Sequence, residues 1–419
     1  MLKHRDTFSK NILVVFAGTS LVNIFNLLYQ LLIAHRLSPA DFAAFNSLLA
    51  IFLIFNSPLM TIQTGITKYI AEFRAQARVD KIRALLSGGL KRIIIACLFT
   101  IPIFFFVSVK SLAGLKISSS GAGLILTGML VTSWILPVMF GGVQGMEKFK
   151  WLASASVISG AAKLSLTFIF LALGFKVAGA LGAFLAANII VIVICYLPLK
   201  GYINPEQSLG FSQGRAEGVD FKEIYLYLWP VAISTFCFMA LISYDMILVK
   251  YFFSPQDAGF YSLAQMVGKI FFFLPGAISI VMFPRISGLN ARNMDTFSTL
   301  KRSLLYTGIL CSAAFIGYNI FPSFALKVLT GKPFAESILL GRLFGFSMSF
   351  FALLYILILY FLSKKDLRFI KYLVLFTLLQ FFAIVLFHQS LINVQLILCV
   401  SSFCLFLLHL WLALGRQRR

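Results

Sequence analysis

The stretch Leu37-Ser38-Pro39-Ala40-Asp41 lies between the first two long apolar segments of the chain. A related stretch, Phe253-Ser254-Pro255-Gln256-Asp257, lies 216 positions later, between the seventh and eighth apolar segments. Each copy of the repeated unit therefore carries six apolar segments. Because six is an even number, both copies would enter a membrane from the same side. We predict two parallel repeats related by an axis along the membrane normal.

Composition and segment length place the chain in a membrane. Hydrophobic residues make up 60% of the sequence and charged residues 12%, and the mean hydropathy is +0.94. Most intervals between charge clusters reach about 20 residues, the length that an α-helix needs to cross the hydrocarbon core. The predicted fold is all-α, a polytopic membrane protein with about 12 transmembrane helices. The predicted spans are residues 11–34, 42–66, 93–109, 121–143, 151–173, 177–199, 226–250, 258–283, 303–323, 337–361, 369–387 and 391–414.

The repeat also predicts the domain organisation. We expect an N-terminal six-helix lobe at residues 1–199 and a C-terminal six-helix lobe at residues 225–419. A cytoplasmic linker at residues 200–224 would join them, because this long connector mixes glycine with acidic residues. Parallel repeats of this kind are one of the known architectures of membrane transporters.

The distribution of charge predicts the orientation. The chain has 36 lysines and arginines against 14 acidic residues, a formal net charge of +22. With the N-terminus in the cytoplasm, 26 of the 36 basic residues fall in cytoplasmic segments, as the positive-inside rule requires. We expect both termini in the cytoplasm, a location in the cytoplasmic (inner) membrane, and contacts with membrane lipids. The basic residues are dispersed over separate segments, which argues against nucleic acid as a partner.

Sequence motifs of common cofactor and metal chemistry are missing. The chain contains no GxxxxGK[ST] and no HExxH motif. Its six cysteines all fall inside predicted spans without CxxC spacing, and we expect them to be small core residues. We therefore predict a protein that is not an enzyme, with no catalytic residue, no cofactor and no metal site.

Two lysines lie deep inside predicted spans. Lys163 lies in the fifth span and Lys269 in the eighth, each ~18 Å from the membrane surface at ~1.5 Å of rise per residue. A cation at that depth costs at least ~2.5–3.5 kcal/mol unless it meets water, a partner or an anionic ligand. We predict that Lys163 and Lys269 contact an anionic substrate in an interior cavity. The alternative for each lysine is an internal ion pair or a hydrogen-bonded packing site.

Asp245 is an acidic residue inside the seventh span, close to its outer end. Three roles stay open for Asp245: a coupling site for a proton or sodium ion, an outer-gate partner of Lys250 or Arg36, or a group exposed to a wet cavity. Arg36 and Lys250 follow the first and seventh spans, and for both we favour simple extension into water. Amide side chains within the spans are candidates for cavity lining or for interhelical hydrogen bonds. They are Asn23, Asn26, Gln30, Asn46, Gln63, Gln144 and Gln265.

Prolines inside the spans predict irregular helices. Pro58, Pro137, Pro230 and Pro275 each remove a backbone hydrogen bond, so bends or weakened turns are expected there. A static kink and a moving hinge are equally compatible with this pattern.

Several stretches carry a family resemblance by their order and spacing. They are Asn26-Leu-Leu-Tyr-Gln-Leu-Leu-Ile-Ala-His-Arg-Leu-Ser-Pro-Ala-Asp-Phe42, Lys68-Tyr-Ile-Ala-Glu-Phe-Arg74, Gly142-Val-Gln-Gly-Met-Glu-Lys-Phe-Lys150, Tyr244-Asp245, Gly259-Phe-Tyr-Ser-Leu-Ala264 and Phe283-Pro-Arg285. Together they resemble the polysaccharide-transport (Wzx-type O-antigen flippase) family. That family belongs to the MOP exporter superfamily, which includes the MATE transporters, and the resemblance covers essentially the whole chain.

The resemblance implies two six-helix lobes around a central cavity that work by alternating access. It also implies a flippase for polyprenyl-pyrophosphate-linked oligosaccharide repeat units in surface polysaccharide biosynthesis, whether O-antigen of lipopolysaccharide, capsule or exopolysaccharide. The polysaccharide polymerase and chain-length proteins would be further partners of such a flippase. The negative charge of the pyrophosphate agrees with the two lysines inside the spans.

Other functions stay open at this point. A MATE-like cation-coupled antiporter of drugs or small molecules would share the fold, although a net positive cavity argues against cationic drugs. A non-transporting assembly component of a polysaccharide export complex would leave the buried lysines without a role. Relatives of the lipid II flippase type use cavity arginines in the first two helices and an additional helix pair. This chain has neither, so lipid II is a less expected cargo.

Overall fold

The fold is described from a computed structural model, which describes residues 2–117, 120–203, 221–291 and 294–415. Over these residues every regular element is an α-helix. The helices are α1 (Leu2–Arg36), α2 (Pro39–Asn56), α3 (Met60–Ala75), α4 (Val79–Gly114), α5 (Ser120–Gly145), α6 (Phe149–Ala172), α7 (Lys176–Tyr196), α8 (Lys200–Ile203), α9 (Phe221–Leu241), α10 (Tyr244–Phe252), α11 (Pro255–Phe273), α12 (Gly276–Ala291), α13 (Phe297–Ile320), α14 (Pro322–Thr330), α15 (Ala335–Ser363), α16 (Ile370–Leu386) and α17 (Leu391–Gly415).

Each predicted span coincides with one helix or with two consecutive helices. The pairs are α2 with α3, α9 with α10, and α11 with α12, while the other nine spans are single helices. By length and composition, eight helices of the described chain are able to cross a membrane, or nine if the bent pair α9–α10 is one span. Helix α16 is also apolar but shorter. The predicted all-α, multi-spanning fold is confirmed.

Large apolar side chains cover much of the outer surface. On α4 alone, Leu98, Phe99 and Ile103 are 64%, 76% and 58% exposed. A water-soluble protein rarely exposes apolar patches of that extent, because each would be a site of association. In a bilayer the same side chains face lipid, and the helices satisfy their own backbone hydrogen bonds. The chain is a multi-pass membrane protein.

The two repeated stretches have the same local structure. Ser38 Oγ donates to Asp41 Oδ2 at 2.8 Å and accepts from the Asp41 N–H at 3.1 Å. The second copy repeats this arrangement between Ser254 and Asp257, at 2.7 and 3.1 Å. In both copies the serine caps a helix whose first residue is proline, which suits a helix start because that position needs no N–H donor. The sequence repeat is therefore also a repeat of structure.

Breaks interrupt the second span of each repeat. The junction of α2 and α3 contains Pro58, and the junction of α11 and α12 contains Pro275. The two positions differ by 217, one residue from the repeat offset, so the breaks are equivalent. Pro137 and Pro230, by contrast, lie inside continuous helices, α5 and α9. The pair α9–α10 is bent by 40° at a junction without proline.

Packing divides the chain into two compact units. The first unit contains the chain up to Arg36 and Phe55–Ala232, and the second contains Leu37–Ile54 and the chain from Ile233 onward. This grouping assigns most of α2 to the second unit. The division into lobes at residues 1–199 and 225–419 stays a prediction. The predicted linker at residues 200–224 lies mostly outside the described residues.

Each unit has its own apolar core. In the first, buried side chains of α3, α4, α5 and α7 pack together. In the second, α11 and α15 supply many of the core residues, and Ala43 and Ile54 of α2 join them. Five of the six cysteines are buried as predicted, but Cys404 is exposed on α17, so the prediction of a core position is wrong there.

Candidate functional site

Lys163 of α6 is enclosed by α1 and α7 within the first unit. Its Nζ donates to Asn26 Oδ1 at 2.5 Å and lies 4.6 Å from the ring centroid of Tyr29 and 5.1 Å from that of Phe184. Both ring distances suit a cation–π interaction. The Tyr29 hydroxyl donates to the Ala180 carbonyl at 3.0 Å, which holds the ring in place. We call Asn26, Tyr29, Lys163 and Phe184 the lysine cage.

The charge of Lys163 has no acidic counterpart in the described part of the chain. The ion pairs found there join Arg74 to Glu147 and Arg368 to Asp366. The cage instead offers one neutral amide oxygen and two ring faces. An ammonium group has three N–H donors, so further donors are left for an anionic ligand.

A second polar cluster lies in the second unit, around Asp245 in the first turn of α10. The Tyr261 hydroxyl donates to Asp245 Oδ2 at 2.8 Å, and Gln265 Nε2 donates to the two carboxylate oxygens at 3.1 and 3.3 Å. These three side chains are at most 2% exposed. Lys269, one turn further along α11, is near enough to Asp245 for their charges to attract, although the ion pairs of the described residues do not include this pair. We call these four residues the aspartate cluster.

Helix geometry explains how α11 builds this cluster. Tyr261, Gln265 and Lys269 follow one another at intervals of four residues, so they lie on one face of the helix. The bend between α9 and α10 starts a new helix just before Asp245, which places its carboxylate in a first turn. A carboxylate is favoured in the first turn of a helix, because the N–H groups there lack intrahelical acceptors.

The first repeat provides an internal comparison for this cluster. At the repeat offset of 216, the equivalents of Tyr261, Gln265 and Lys269 are Phe45, Leu49 and Leu53. Phe45 and Leu49 are buried at 0% and 5% exposure. The same helix position is therefore filled by apolar side chains in one repeat and by a charged cluster in the other. Since the architecture does not require the charges, their burial points to function.

The predicted gate residues Arg36 and Lys250 differ in their local surroundings. Arg36, the last residue of α1, is exposed, with its guanidinium 5.8 Å from the Phe168 ring centroid. Lys250, near the end of α10, is only 3% exposed, so the expected extension of its side chain into water is wrong. Five residues separate it from Asp245, a turn of about 500°, so the two side chains leave different faces of the helix. The described partners of Asp245 include Tyr261 and Gln265 rather than a gate cation.

Five of the seven predicted amides take part in interhelical hydrogen bonds. Gln63 of α3 donates to Gln144 of α5 at 3.1 Å in the first unit. Asn46 of α2 donates to Ser262 of α11 at 2.9 Å in the second. Gln265 belongs to the aspartate cluster, and Asn26 belongs to the lysine cage. Polar side chains of this kind hold neighbouring membrane helices together.

Sequence reasoning missed the aromatic members of both sites. Tyr29, Phe184 and Tyr261 were not singled out, although the spacing of Tyr261 with two polar residues of α11 was a usable signal. The sequence also contains one further motif, Gly210-Phe211-Ser212-Gln213-Gly214, which matches GxSxG. It lies in the predicted linker, outside the described residues.

Comparison with known proteins identifies the family. Residues 8–290 match the family described as polysaccharide biosynthesis protein, and the chain belongs to that family. It is also 25% identical over 234 residues to the uncharacterized membrane protein MJ1375 of Methanocaldococcus jannaschii. The aligned region covers 54% of this chain and 55% of that protein, so the match spans about half the length of the relative.

Solved structures of MOP transporters share the fold. An inward-facing multidrug resistance MATE transporter aligns with a TM-score of 0.76 at 14% identity, over 95% of this chain and 96% of that one. The lipid II flippase MurJ in an inward closed conformation aligns with a TM-score of 0.70 at 12% identity, over 96% and 87%. The MATE transporter DinF-BH aligns with a TM-score of 0.65 at 17% identity, over 97% and 94%. The fold is therefore that of these transporters and of this flippase.

Proposed function

We propose that this chain is a flippase that moves polyprenyl-pyrophosphate-linked oligosaccharides across the cytoplasmic membrane for surface polysaccharide biosynthesis. Membership of the polysaccharide biosynthesis family and the likeness to a lipid II flippase support a lipid-linked substrate. Both termini would lie in the cytoplasm, as the excess of basic residues there favours. The exported unit would be O-antigen, capsule or exopolysaccharide.

The lysine cage is the observation that carries the proposal. A half-buried cation inside a span costs at least ~2.5–3.5 kcal/mol, and the cage provides no described carboxylate to offset it. A pyrophosphate group would supply the missing negative charge. Its oxygens would accept hydrogen bonds from the remaining N–H groups of Lys163. The rings of Tyr29 and Phe184 would keep the ammonium in position while the anion enters and leaves.

The aspartate cluster is our proposal for energy coupling. While Asp245 is ionised, its charge offsets that of Lys269, and the pair is neutral. Binding of a proton or sodium ion to Asp245 would leave Lys269 with an uncompensated charge, available for the anionic headgroup. The cluster therefore has two charge states that a cation gradient can select between. We assign Arg36 to the outer end of α1 and Lys250 to the outer end of α10, and we assign Asn46, Gln63 and Gln144 to polar linings within their own units.

A cation-coupled antiporter of drugs or small molecules is the second candidate. The wholly buried Asp245 favours it, because a desolvated carboxylate attracts cations. The lysine cage opposes it for cationic drugs, because a drug with the same charge as Lys163 would be repelled. The two candidates therefore predict opposite substrate charges.

Transport in proteoliposomes separates these candidates. We expect movement of a prenyl-pyrophosphate oligosaccharide between the leaflets, and no efflux of a cationic dye such as rhodamine 6G. Dye efflux driven by a proton or sodium gradient, without movement of the glycolipid, would establish the antiporter instead. If neither moves, while deletion of the gene still stops polysaccharide export, the protein is an assembly component.

A further inference from the structure

A large apolar groove runs along the outside of the helix pair α1–α6 in the first unit. Its volume is about 690 Å³, within the usual ~300–1,000 Å³ of ligand pockets. The residues that line it are Leu28, Leu31, Leu32 and His35 of α1, and Leu164, Ser165, Phe168 and Ile169 of α6. On α1 these residues are spaced as one helix face, and seven residues of helix give the groove a length of ~10 Å.

Positive charge lies at one end of this groove. Arg36 ends α1 directly after His35, and its guanidinium stands over Phe168, which is part of the groove wall. Arg36 forms no ion pair with a carboxylate of the described residues. A guanidinium binds phosphate oxygens through paired N–H donors. The groove therefore combines an apolar channel with a phosphate-binding group at the helix end, where a membrane interface would lie.

The groove shares its helix pair with the lysine cage. Lys163 directly precedes Leu164 on α6, and Asn26 precedes Leu28 by two residues on α1. Five residues of α6 separate Lys163 from Phe168, which is ~7.5 Å along the helix. A headgroup leaving the cage toward the end of α6 would therefore reach the level of Arg36 after a short displacement.

We infer that the α1–α6 groove holds the hydrocarbon chain of a polyprenyl phosphate lipid whose phosphate pairs with Arg36. The inference rests on the proposed function, since the lipid is the carrier of the transported headgroup. A prenyl chain that ends in a phosphate matches this combination of an apolar channel and a cation at one end. The groove is thus the docking site of the lipid part of the substrate.

Photo-crosslinking tests the inference directly. The probe is a polyprenyl monophosphate with a diazirine in its chain, added to the full-length protein in nanodiscs and located by peptide mass spectrometry. We expect crosslinks on the groove residues of α1 and α6. Leu28→Trp, which fills the groove, should reduce them about tenfold, and Arg36→Gln should do the same because one charge-assisted hydrogen bond is lost. Leu98→Trp, on the lipid-facing surface of α4, is the matched control and should leave them unchanged.

Three results would overturn the inference. Equal crosslinking in Leu28→Trp and in the wild type would exclude the groove. Loss of crosslinking in Leu98→Trp as well would show a general effect of the added ring. Complete displacement of the probe by a tenfold excess of phosphatidylglycerol would assign the groove to a membrane phospholipid.

Transport by the same variants keeps this inference separate from the proposed function. If the wild type moves the glycolipid and Leu28→Trp moves it equally well, the flippase stands and the groove assignment fails. If the wild type moves no glycolipid but crosslinks the probe in the groove, the flippase fails and the lipid site stands.

Discussion

In the proposed mechanism, Lys163 can bind an anion only while its neighbours are neutral. We predict that Asn26→Asp will lower binding of the anionic substrate at least tenfold, because a carboxylate 2.5 Å from Nζ would neutralise the ammonium. The substitution changes the size of the side chain very little, so the fold should be retained. Binding of a prenyl-pyrophosphate oligosaccharide by the purified variant measures the effect.

The matched control for this change is Asn26→Gln, which keeps a neutral amide oxygen. It should bind the substrate within a few-fold of the wild type. Unchanged binding in Asn26→Asp would mean that Lys163 does not meet the anion.

Substitutions of Asp245 and Lys269 test whether these two residues stabilise each other. We predict that Asp245→Asn lowers stability by roughly 1–3 kcal/mol, because the hydrogen bonds from Tyr261 and Gln265 lose their charged acceptor and Lys269 loses the nearby carboxylate. The double variant Asp245→Asn, Lys269→Met should recover part of that loss. Chemical unfolding in detergent, read as a double-mutant cycle, measures the coupling between the two residues.

Additive losses in that cycle would contradict the pairing of the two charges. The equivalent positions of the first repeat, Tyr29 and Leu53, provide an uncharged reference. Substitution of Leu53 by Met should change stability little, because it conserves volume and hydrophobicity.

The sequence allowed the charged residues of both sites to be found, but not the residues around them. A lysine or aspartate in an apolar span stands out because its burial is costly. Tyr29 and Phe184 do not stand out among 14 tyrosines and 46 phenylalanines. Which of those rings meets Lys163 depends on how α1, α6 and α7 face one another, and that is set by packing rather than by local sequence.

At the scale of helices, α2 and α11 cross closely in the second unit. A Cβ on Gly259 would lie 2.6 Å from Pro39 Cβ and 2.8 Å from its carbonyl carbon. Asn46 and Ser262, which also join these helices, are separated by 216 residues, the repeat offset. Equivalent positions of the two repeats therefore meet at this crossing, and Gly259 permits the close approach.

This crossing yields a prediction for glycine substitutions. We expect Gly259→Ala to lower the melting temperature clearly, because the backbone of Pro39 cannot move aside without displacing α2. Gly308→Ala in α13 is the control, since nothing lies within 4 Å of a Cβ there. It should be neutral or stabilise by up to about 1 kcal/mol through helix propensity. Equal melting temperatures for the two variants would show that the crossing is not tight.

Sequence patterns predicted the positions of the spans better than their continuity. The repeat and the apolar lengths placed each predicted span on one helix or on two consecutive helices, and eight or nine helices of the described chain are long and apolar enough to cross a membrane. The breaks were predicted by proline at Pro58 and Pro275, yet Pro137 and Pro230 lie in unbroken helices. Whether a proline breaks a helix depends on what satisfies the freed carbonyl, which is a matter of neighbouring helices and not of the proline itself.

At the scale of the whole molecule, the orientation in the membrane is a prediction from charge. We expect a cysteine at Glu147, between α5 and α6, to react with a membrane-impermeant maleimide only after the cells are permeabilised. A cysteine at Gln389, between α16 and α17, should react in intact cells. Both positions are exposed, and Cys404→Ser provides a background without the exposed native thiol. The reverse labelling pattern would invert the topology.

The most direct test of the account is glycolipid transport by Lys163 variants reconstituted at equal density in proteoliposomes. We predict that Lys163→Gln lowers the rate of movement of a prenyl-pyrophosphate oligosaccharide at least tenfold, because the anion loses its charge-assisted hydrogen bonds. Lys110→Gln, which alters an exposed lysine at the end of α4, should keep the wild-type rate. Wild-type transport by Lys163→Gln would contradict the central claim that the buried lysine binds the headgroup.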